Sequence, residues 1–127
     1  MNRRYLLDTR ALLWALGDPG VLSQAARDTI AHPANLIFVS SASLWECAIK
    51  ASIGKLDLPD DFFDLIPETG YEVIPIRIAH LNTYRSLPMH HRDPFDRILV
   101  AQAQAEALTL ITRDPDIAKY DVSRLVC

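Results

Sequence analysis

Four acidic residues of this sequence lie at positions from which their carboxylates could act together. Asp8 directly follows the apolar run Tyr5–Leu7, and Asp114 follows a second such run. Glu46 and Asp96 stand near the starts of two segments with helical periodicity. In a parallel sheet, the ends of the strands and the starts of the following helices share one edge, where ligands bind. The spacing therefore predicts that the four carboxylates converge on that edge.

Converging carboxylates indicate a particular chemistry. Like charges raise one another's pKa unless a cation lies between them. Oxygen ligands without clusters of histidine or cysteine favour Mg²⁺ or Mn²⁺ over Zn²⁺. Such an ion activates a water molecule and stabilises the charge on a phosphoryl group during its transfer. The sequence therefore predicts metal-assisted hydrolysis of phosphodiester bonds.

Each of these acids also has a purely structural interpretation. Asp8 could cap the helix that follows it, and Glu46 stands three residues after Ser43, which is the spacing of a helix capping box. Asp96 would lie in the first turn of its helix, where a carboxylate interacts favourably with the helix dipole. Asp114 precedes a proline, as turn residues often do. These interpretations explain each acid singly, but not why all four fall on one predicted edge.

The elements that must position these acids alternate along the chain. Five short β-rich runs predict strands, at Tyr5–Leu7, Leu36–Val39, Tyr71–Ile76, Leu108–Thr112 and Arg124–Val126. Helices are predicted between them, at Thr9–Leu16, Ser23–Ala31, Ser43–Ile53, Asp60–Glu68, Arg77–Leu87 and Pro94–Ala107. Strands alternating with helices are typical of a mostly parallel sheet covered on both faces. We predict a single domain over residues 1–127, a three-layer α/β/α sandwich of the α/β class.

The composition bounds the partners and the compartment. The 127 residues carry 13 basic and 16 acidic side chains, a net charge of -3, which argues against coating nucleic acid by bulk charge. No apolar run is long enough for a membrane span, and no leader peptide is recognisable. Cys47 and Cys127 fit no metal or redox motif. A cytoplasmic protein is therefore expected.

Four blocks of the sequence resemble the acidic motifs of PIN-domain ribonucleases, in particular the VapC-like toxins of bacterial toxin–antitoxin pairs. Residues 5–14 (YLLDTRALLW) are similar to the opening of these proteins, and residues 43–50 (SLWECAIK) to their second motif. Residues 91–102 (HRDPFDRILVAQ) and 110–114 (LITRD) are similar to the third and the fourth. The blocks occur in the family's order and span nearly the whole chain.

The resemblance implies a five-stranded parallel sheet and a metal-dependent endoribonuclease that uses Mg²⁺ or Mn²⁺. It also implies an RNA substrate, a homodimer, and inhibition by an antitoxin protein that blocks the acidic pocket. Asp8, Glu46 and Asp96 would be the core metal ligands. Asp114 would complete the catalytic site, either directly or through a water molecule.

Further site residues follow from the same resemblance. Three hydroxyl residues would orient waters or carboxylates around the ligands: Thr9, Ser43 and Thr112. Asp93 fits a helix N-cap better than a ligand. Asp116 remains an alternative to Asp114, which is preferred because it stands two residues after the threonine that ends the strand.

An RNA strand that reaches an acidic pocket needs basic residues at the rim of that pocket. Five candidates lie within a few positions of an acid: Arg10, Lys50, Arg92, Arg97 and Arg113. We expect two or three of them to contact phosphates. The alternative is that they form ion pairs, as Arg97 beside Asp96 would. Relatives commonly have histidine at the position of Arg10, so contacts with substrate or antitoxin could differ there.

Other residues near these blocks admit two interpretations each. His90 and His91 lie in a loop beside the site, where they could bind phosphate, although solvated loop histidines are more common. Trp14 and Trp45 have core spacing on their helices, which favours packing over base stacking. The segments 60–68 and 77–87 could form a groove for an antitoxin segment or belong to the core, and the first carries Phe62, Phe63, Leu65 and Ile66.

Two alternatives remain on the same fold. One is a solitary RNA-processing nuclease, and the other is a catalytically inactive binding module whose acids serve as helix caps. A phosphotransferase with an aspartyl nucleophile is disfavoured, because Arg10 stands where a second aspartate is usual. The four intact acidic positions favour a nuclease over the binding module.

Overall fold

The structure, a computed structural model, describes residues 3–127. Its centre is a sheet of five strands, β1 (Arg3–Leu7), β2 (Asn35–Ser40), β3 (Glu72–Ile74), β4 (Thr109–Ile111) and β5 (Arg124–Leu125). The strands lie in the order β3-β2-β1-β4-β5, and each neighbouring pair is parallel. The predicted five-stranded parallel sheet is confirmed, although β3 and β4 are shorter than the apolar runs that contain them.

Within residues 3–127, six α-helices accompany the sheet: α1 (Thr9–Gly17), α2 (Gln24–Ala31), α3 (Ser41–Ser52), α4 (Phe62–Leu65), α5 (Ile78–Arg85) and α6 (Pro94–Glu106). The N-cap predicted at Asp93 is confirmed, and Ser23, where a helix start is predicted, is the N-cap of α2. The Ser23 hydroxyl accepts from the N–H of Ala26 at 3.1 Å, and an Asp93 oxygen accepts from the N–H of Phe95 at 2.9 Å. None of these helices is long and apolar enough to cross a membrane.

The predicted helix over 60–68 is divided in two. The short α4 is followed by a 3₁₀ turn over Ile66–Thr69. Pro67 lacks a backbone N–H and so cannot continue the α-helical hydrogen bonds. Gly70 ends the turn with a φ of 82°, a left-handed conformation that glycine adopts without strain.

The apolar runs of the sequence are explained by a sheet that is buried on both faces. Leu6 and Leu7 are both fully buried, and successive side chains of a strand point to opposite faces. Leu6 packs with Leu99 of α6 on one face, whereas Leu7 packs with Leu12 of α1 and with Ile111 on the other. These two packed faces give the three-layer arrangement that the sequence predicts.

The strand order places a crevice at the end of β1. The backbone N–H of Asp8, just beyond β1, donates to the carbonyl of Ile111 at 3.1 Å, which extends the pairing of β1 with β4. The chain leaves β1 towards β2 on one side, whereas β4 lies on the other. In parallel sheets such a reversal of strand order opens a binding crevice at the carboxyl edge.

The two tryptophans lie in different surroundings. Trp14 is half-buried against the core on the α1 side, as its spacing predicts. The packing interpretation of Trp45 is wrong, because this side chain is 62% exposed. Its ring meets Phe95 edge to face, with 5.4 Å between the ring centroids. Trp45 therefore lies on the outside of the junction between α3 and α6.

The apolar residues of the 60–68 segment divide between core and surface. Phe62 and Ile66 are buried in a cluster with Cys47. Phe63 and Leu65 are exposed. Only the second pair is therefore placed where another protein could contact it.

Candidate active site

All four predicted carboxylates line one cleft at the carboxyl edge of the sheet. The cleft has a volume of about 720 Å³, and Asp8, Glu46, Asp96 and Asp114 are among the residues that line it. Each acid comes from a different segment of the chain: the ends of β1 and β4, the second turn of α3, and the first turn of α6. The structure therefore brings together the residues that the spacing grouped at one edge.

Asp8 combines the structural and the chemical interpretations. It caps α1, because its Oδ1 accepts from the N–H of Ala11 at 2.7 Å. Only 6% of the residue is exposed, and this burial raises the pKa of Asp8, as does the charge of Asp114. Hydrogen bonds from the Thr112 hydroxyl and from Ala11 act in the opposite direction. The cap orients a carboxylate that is costly to ionise unless a cation is near.

The capping-box interpretation of Ser43 and Glu46 is wrong. The helix α3 begins at Ser41, and its N-cap is Ser40, whose hydroxyl accepts from the N–H of Ala42 at 3.0 Å. Ser43 is buried, and its hydroxyl has no hydrogen-bond partner among residues 3–127. Glu46 is therefore free of any capping role and points into the cleft.

Both oxygens of the buried Glu46 carboxylate are held. Oε1 accepts from Oγ1 of Thr9 at 2.7 Å, and Oε2 accepts from Nζ of Lys50 at 2.8 Å. Lys50 lies one turn after Glu46 on the same face of α3, the spacing at which opposite charges meet. The hydrogen bond to Glu46 raises the pKa of Lys50, so this amine stays charged. Thr9 and Lys50 thus hold the same carboxylate, and for Lys50 this contact is the ion pair that was the alternative to an RNA contact.

Replacing Thr9 with valine is expected to destabilise the protein by about 1.5–3 kcal/mol, because a hydrogen bond to a buried charged group is lost. Thr9→Ser keeps the hydroxyl and is expected to lose much less. Urea unfolding of both variants measures the difference. Equal stability of Thr9→Val and Thr9→Ser would contradict this assignment.

Asp96 is the acid most affected by its neighbours. It is the third residue of α6, after Asp93 at the N-cap and Pro94 at the first helical position. Burial, and then repulsion from Asp93, Asp114 and Asp8, raise the pKa of Asp96 to about 7, although His91 partly opposes them. The cleft thus concentrates negative charge that a bound cation would neutralise.

Asp114 behaves in the opposite way. Burial alone would raise its pKa, but a hydrogen bond from His91 and backbone N–H groups outweigh burial and lower the pKa of Asp114. Its Oδ1 accepts from the N–H of Asp116 at 2.8 Å. Asp116 itself forms an ion pair with Lys119 at 2.9 Å and does not line the cleft. The structure therefore places Asp114, rather than Asp116, beside the other acids. Asp93 caps α6 and also lines the cleft.

The sequence places His91 beside the site but favours a solvated loop histidine, and for His91 this preference is wrong. Nε2 of His91 lies 2.9 Å from Oδ2 of Asp114 and 3.1 Å from Oδ2 of Asp96, and the side chain is only 14% exposed. Among residues 3–127, these three form the one group whose ligand-type atoms lie within 4.8 Å of one another. The signal in the sequence was the position of His91, two residues before the N-cap of α6. His90, in contrast, packs its ring against Tyr120.

The five predicted RNA contacts are placed differently from one another. Arg10, Lys50 and Arg113 line the cleft, together with Lys55, which was not predicted. Arg92 is exposed but does not line the cleft. Arg113 also stacks on Trp14, with its guanidinium 4.2 Å from the ring centroid, and donates to the carbonyl of Val21 at 2.8 Å. A basic rim therefore borders the acidic cleft.

Arg97 is the candidate that the structure places elsewhere. Only 9% of the residue is exposed. Its Nη2 donates to the carbonyl of Leu87 at 3.2 Å, and its guanidinium lies 4.7 Å from the ring centroid of Tyr84. Successive helical residues point about 100° apart, so Arg97 neither joins Asp96 nor reaches the cleft. It secures the loop before α6 instead.

The residues of the cleft fit a divalent cation. Four carboxylates line it, and burial and repulsion between acids raise the pKa values of Asp8 and Asp96. Carboxylate oxygens are the ligands that Mg²⁺ and Mn²⁺ prefer. A cation among them would favour the ionised forms that burial and repulsion disfavour.

Comparison with known proteins identifies the family. Residues 5–123 match the model of the PIN domain, and the chain therefore belongs to the PIN domain family. PIN domains are generally nucleases and typically use a divalent metal. No curated protein matches the sequence.

Solved structures support the same fold at low sequence identity. VapBC2 from Rickettsia felis, bound to a DNA fragment from its promoter, is similar with a TM-score of 0.74 and 16% identity, over 98% of both chains. DNA-bound VapBC from Salmonella typhimurium gives a TM-score of 0.68 and 14% identity, over 99% of this chain and 98% of the other. VapBC-5 from Mycobacterium tuberculosis gives a TM-score of 0.58 and 19% identity, over 97% of this chain and 96% of the other.

Proposed function

We propose that the protein is a metal-dependent endoribonuclease that acts as the toxin of a toxin–antitoxin pair. The observation that carries this proposal is the convergence of four carboxylates in one cleft, where burial and mutual repulsion favour a bound cation. Membership of the PIN domain family supports nuclease chemistry. RNA as the substrate would place this activity in the cytoplasm.

In this proposal, Asp8, Asp96, Glu46 and Asp114 hold Mg²⁺ or Mn²⁺. Such an ion would supply Lewis-acid chemistry when bound, namely activation of a water molecule and stabilisation of charge on the phosphate oxygens. Thr9 and Lys50 fix the orientation of Glu46, and Thr112 does the same for Asp8.

The basic rim would guide RNA to the acids. Arg10, Lys50, Lys55 and Arg113 line the same cleft as the four carboxylates. Cationic side chains attract the phosphate backbone irrespective of base sequence. We therefore assign substrate positioning to the rim and the hydrolytic step to the acids.

The toxin role is supported by the solved structures of similar fold. The Mycobacterium tuberculosis protein is described as a member of the VapBC family of toxin–antitoxin systems, and the Rickettsia felis and Salmonella typhimurium structures are VapBC complexes on DNA. We propose that this chain likewise pairs with an antitoxin protein and forms a homodimer. An upstream reading frame that encodes a DNA-binding segment would support the toxin role, whereas its absence would favour a solitary RNA-processing nuclease.

Cleavage of RNA by the purified protein tests the nuclease function. The parent is expected to cleave single-stranded RNA with Mg²⁺ or Mn²⁺ and to stop when EDTA removes the ion. Asp8→Asn keeps an acceptor for the N–H of Ala11, so the helix cap survives. The cleavage rate of this variant is expected to fall by more than about 100-fold. Loss of a residue that only hydrogen-bonds to a metal ligand already costs about 10–100-fold in activity, and Asp8 is itself a proposed ligand.

The matched control is Asp116→Asn, since Asp116 pairs with Lys119 outside the cleft. This variant is expected to cleave as the parent does. If the parent neither binds Mn²⁺ nor cleaves RNA, the binding-module alternative is favoured. If Asp8→Asn cleaves as fast as the parent, the assignment of the acids is wrong.

A further inference from the structure

His91 lies at the centre of a hydrogen-bond network and has no role in the mechanism proposed above. Its Nε2 is within 2.9 Å of Asp114 and 3.1 Å of Asp96, so one nitrogen contacts two of the four acids. These two carboxylates repel each other, and repulsion between them contributes to the raised pKa of Asp96. The group between them therefore decides where they lie when no cation holds them.

The other ring nitrogen determines what Nε2 can do. Nδ1 of His91 accepts a hydrogen bond from the backbone N–H of Asp93 at 3.1 Å. A backbone N–H can only donate, so Nδ1 must offer its lone pair, and the hydrogen of the neutral ring must then lie on Nε2. Nε2 is therefore a donor, and its lone pair is not available to a metal ion.

The backbone of His91 is fixed from the opposite side. The hydroxyl of Tyr120 accepts from the N–H of His91 at 3.0 Å and from the N–H of His90 at 3.1 Å. Tyr120 is buried in the core beside Leu99. Arg97 adds a further contact to this loop through the carbonyl of Leu87. The backbone that carries the imidazole is thus hydrogen-bonded to a residue of the core.

Asp114 is oriented to receive this donor. Its Oδ1 is occupied by the N–H groups of Asp116, at 2.8 Å, and Ile117, at 3.4 Å. Its Oδ2 accepts the hydrogen bond from Nε2 of His91. The carboxylate is therefore held at both oxygens, and its position does not depend on a bound ion.

We propose that His91 is a positioning residue that holds Asp96 and Asp114 ready for the cation and is not itself a metal ligand. This inference depends on the proposed function, since it assumes that the cleft binds a divalent ion. Within the group of three, His91 is then a hydrogen-bond donor, and Asp96 and Asp114 are the metal ligands. It also leaves the metal with an all-oxygen ligand set, which suits Mg²⁺ as well as Mn²⁺.

Titrations with Mn²⁺ test the proposal on three variants. Electron paramagnetic resonance of the free ion measures how much Mn²⁺ each variant binds. His91→Ala is expected to weaken Mn²⁺ binding about 10–100-fold, the usual cost of losing a partner that orients a ligand. His91→Gln places an amide donor near the position of Nε2 and is expected to restore most of the affinity. His91→Asn reaches only the position of Nδ1 and is expected to bind as weakly as the alanine variant.

Nuclear magnetic resonance of the ring nitrogens adds a readout on the parent protein itself, so the test does not depend on variants that fold. With Mg²⁺ bound, Nδ1 is expected to remain the unprotonated nitrogen. Transfer of the unprotonated state to Nε2, or unchanged Mn²⁺ affinity in His91→Ala, would overturn the proposal. A parent that binds no Mn²⁺ would overturn it together with the proposed function, whereas a parent that binds Mn²⁺ without cleaving RNA contradicts the proposed function alone.

Discussion

Replacing Asp96 with asparagine is expected to stop RNA cleavage and at the same time to stabilise the metal-free protein. Cleavage should fall by more than about 100-fold, because a metal ligand is lost and even its outer partners usually contribute about 10–100-fold. Stability at pH 8 should rise by about 2 kcal/mol. One unit of pKa shift corresponds to about 1.4 kcal/mol, and the folded protein raises the pKa of Asp96 to about 7 from 3.8, while the partly exposed side chain keeps some hydration.

Cleavage is expected to fall while stability rises, and this combination distinguishes the prediction from a general loss of folding. Asparagine keeps an oxygen close to Nε2 of His91 but removes the charge that Asp93, Asp114 and Asp8 repel. Thermal unfolding in EDTA and RNA cleavage in Mg²⁺ measure the two effects. Asp116→Asn, outside the cleft, is expected to change neither. An Asp96→Asn protein that is less stable than the parent in EDTA at pH 8 would show that Asp96 is not held against repulsion.

Binding of Mg²⁺ or Mn²⁺ is expected to abolish the dependence of stability on pH that Asp96 causes in the metal-free protein. The pKa of Asp96 in the folded, metal-free protein is about 7, above its unfolded value, so the folded state binds more protons than the unfolded state between pH 4 and 7. The stabilisation that this group gives the metal-free protein is complete below about pH 4 and is lost progressively as the pH rises to about 7. A metal ion must displace the same proton, so its affinity should rise about tenfold per pH unit up to about pH 7.

Thermal unfolding at several pH values, with EDTA or with saturating Mn²⁺, measures both trends. The stabilisation by the ion should follow its concentration relative to the dissociation constant, about 2.7 kcal/mol at a hundredfold excess. The Asp96→Asn variant should lose the part of the pH dependence that belongs to Asp96. Parallel pH profiles with and without Mn²⁺ would contradict a cation at this carboxylate.

Much of the fold could be predicted because its signals are local. The uninterrupted apolar runs around Leu6 and Leu110 belong to strands buried on both faces. Ser23 and Asp93 cap the helices that their positions indicate, and Pro94 occupies the first helical position. The convergence of the acids followed from the parallel sheet alone, since one edge collects every strand end and the helix starts that follow.

The parts that could not be predicted depend on contacts between distant residues. Ser40, Ser41 and Ser43 all stand near the start of α3, and only the end of β2 decides that Ser40 is the cap. His91 joins the site because Tyr120, far along the chain, holds its backbone. Arg97 leaves the cleft because Leu87 and Tyr84 receive its guanidinium, which no local pattern of charges reveals.

The central position of β1 has a consequence for synthesis on the ribosome. Asp8 and its strand are translated before β4, the strand that flanks β1 and follows it by many residues. Pairings between distant parts of a sequence form late, because a long loop must close first. The acid cluster of a nascent chain therefore remains incomplete until the segment carrying Asp114 has been translated. In the proposed function, a nascent chain that lacks Asp114 cannot yet cleave RNA beside the ribosome that is making it.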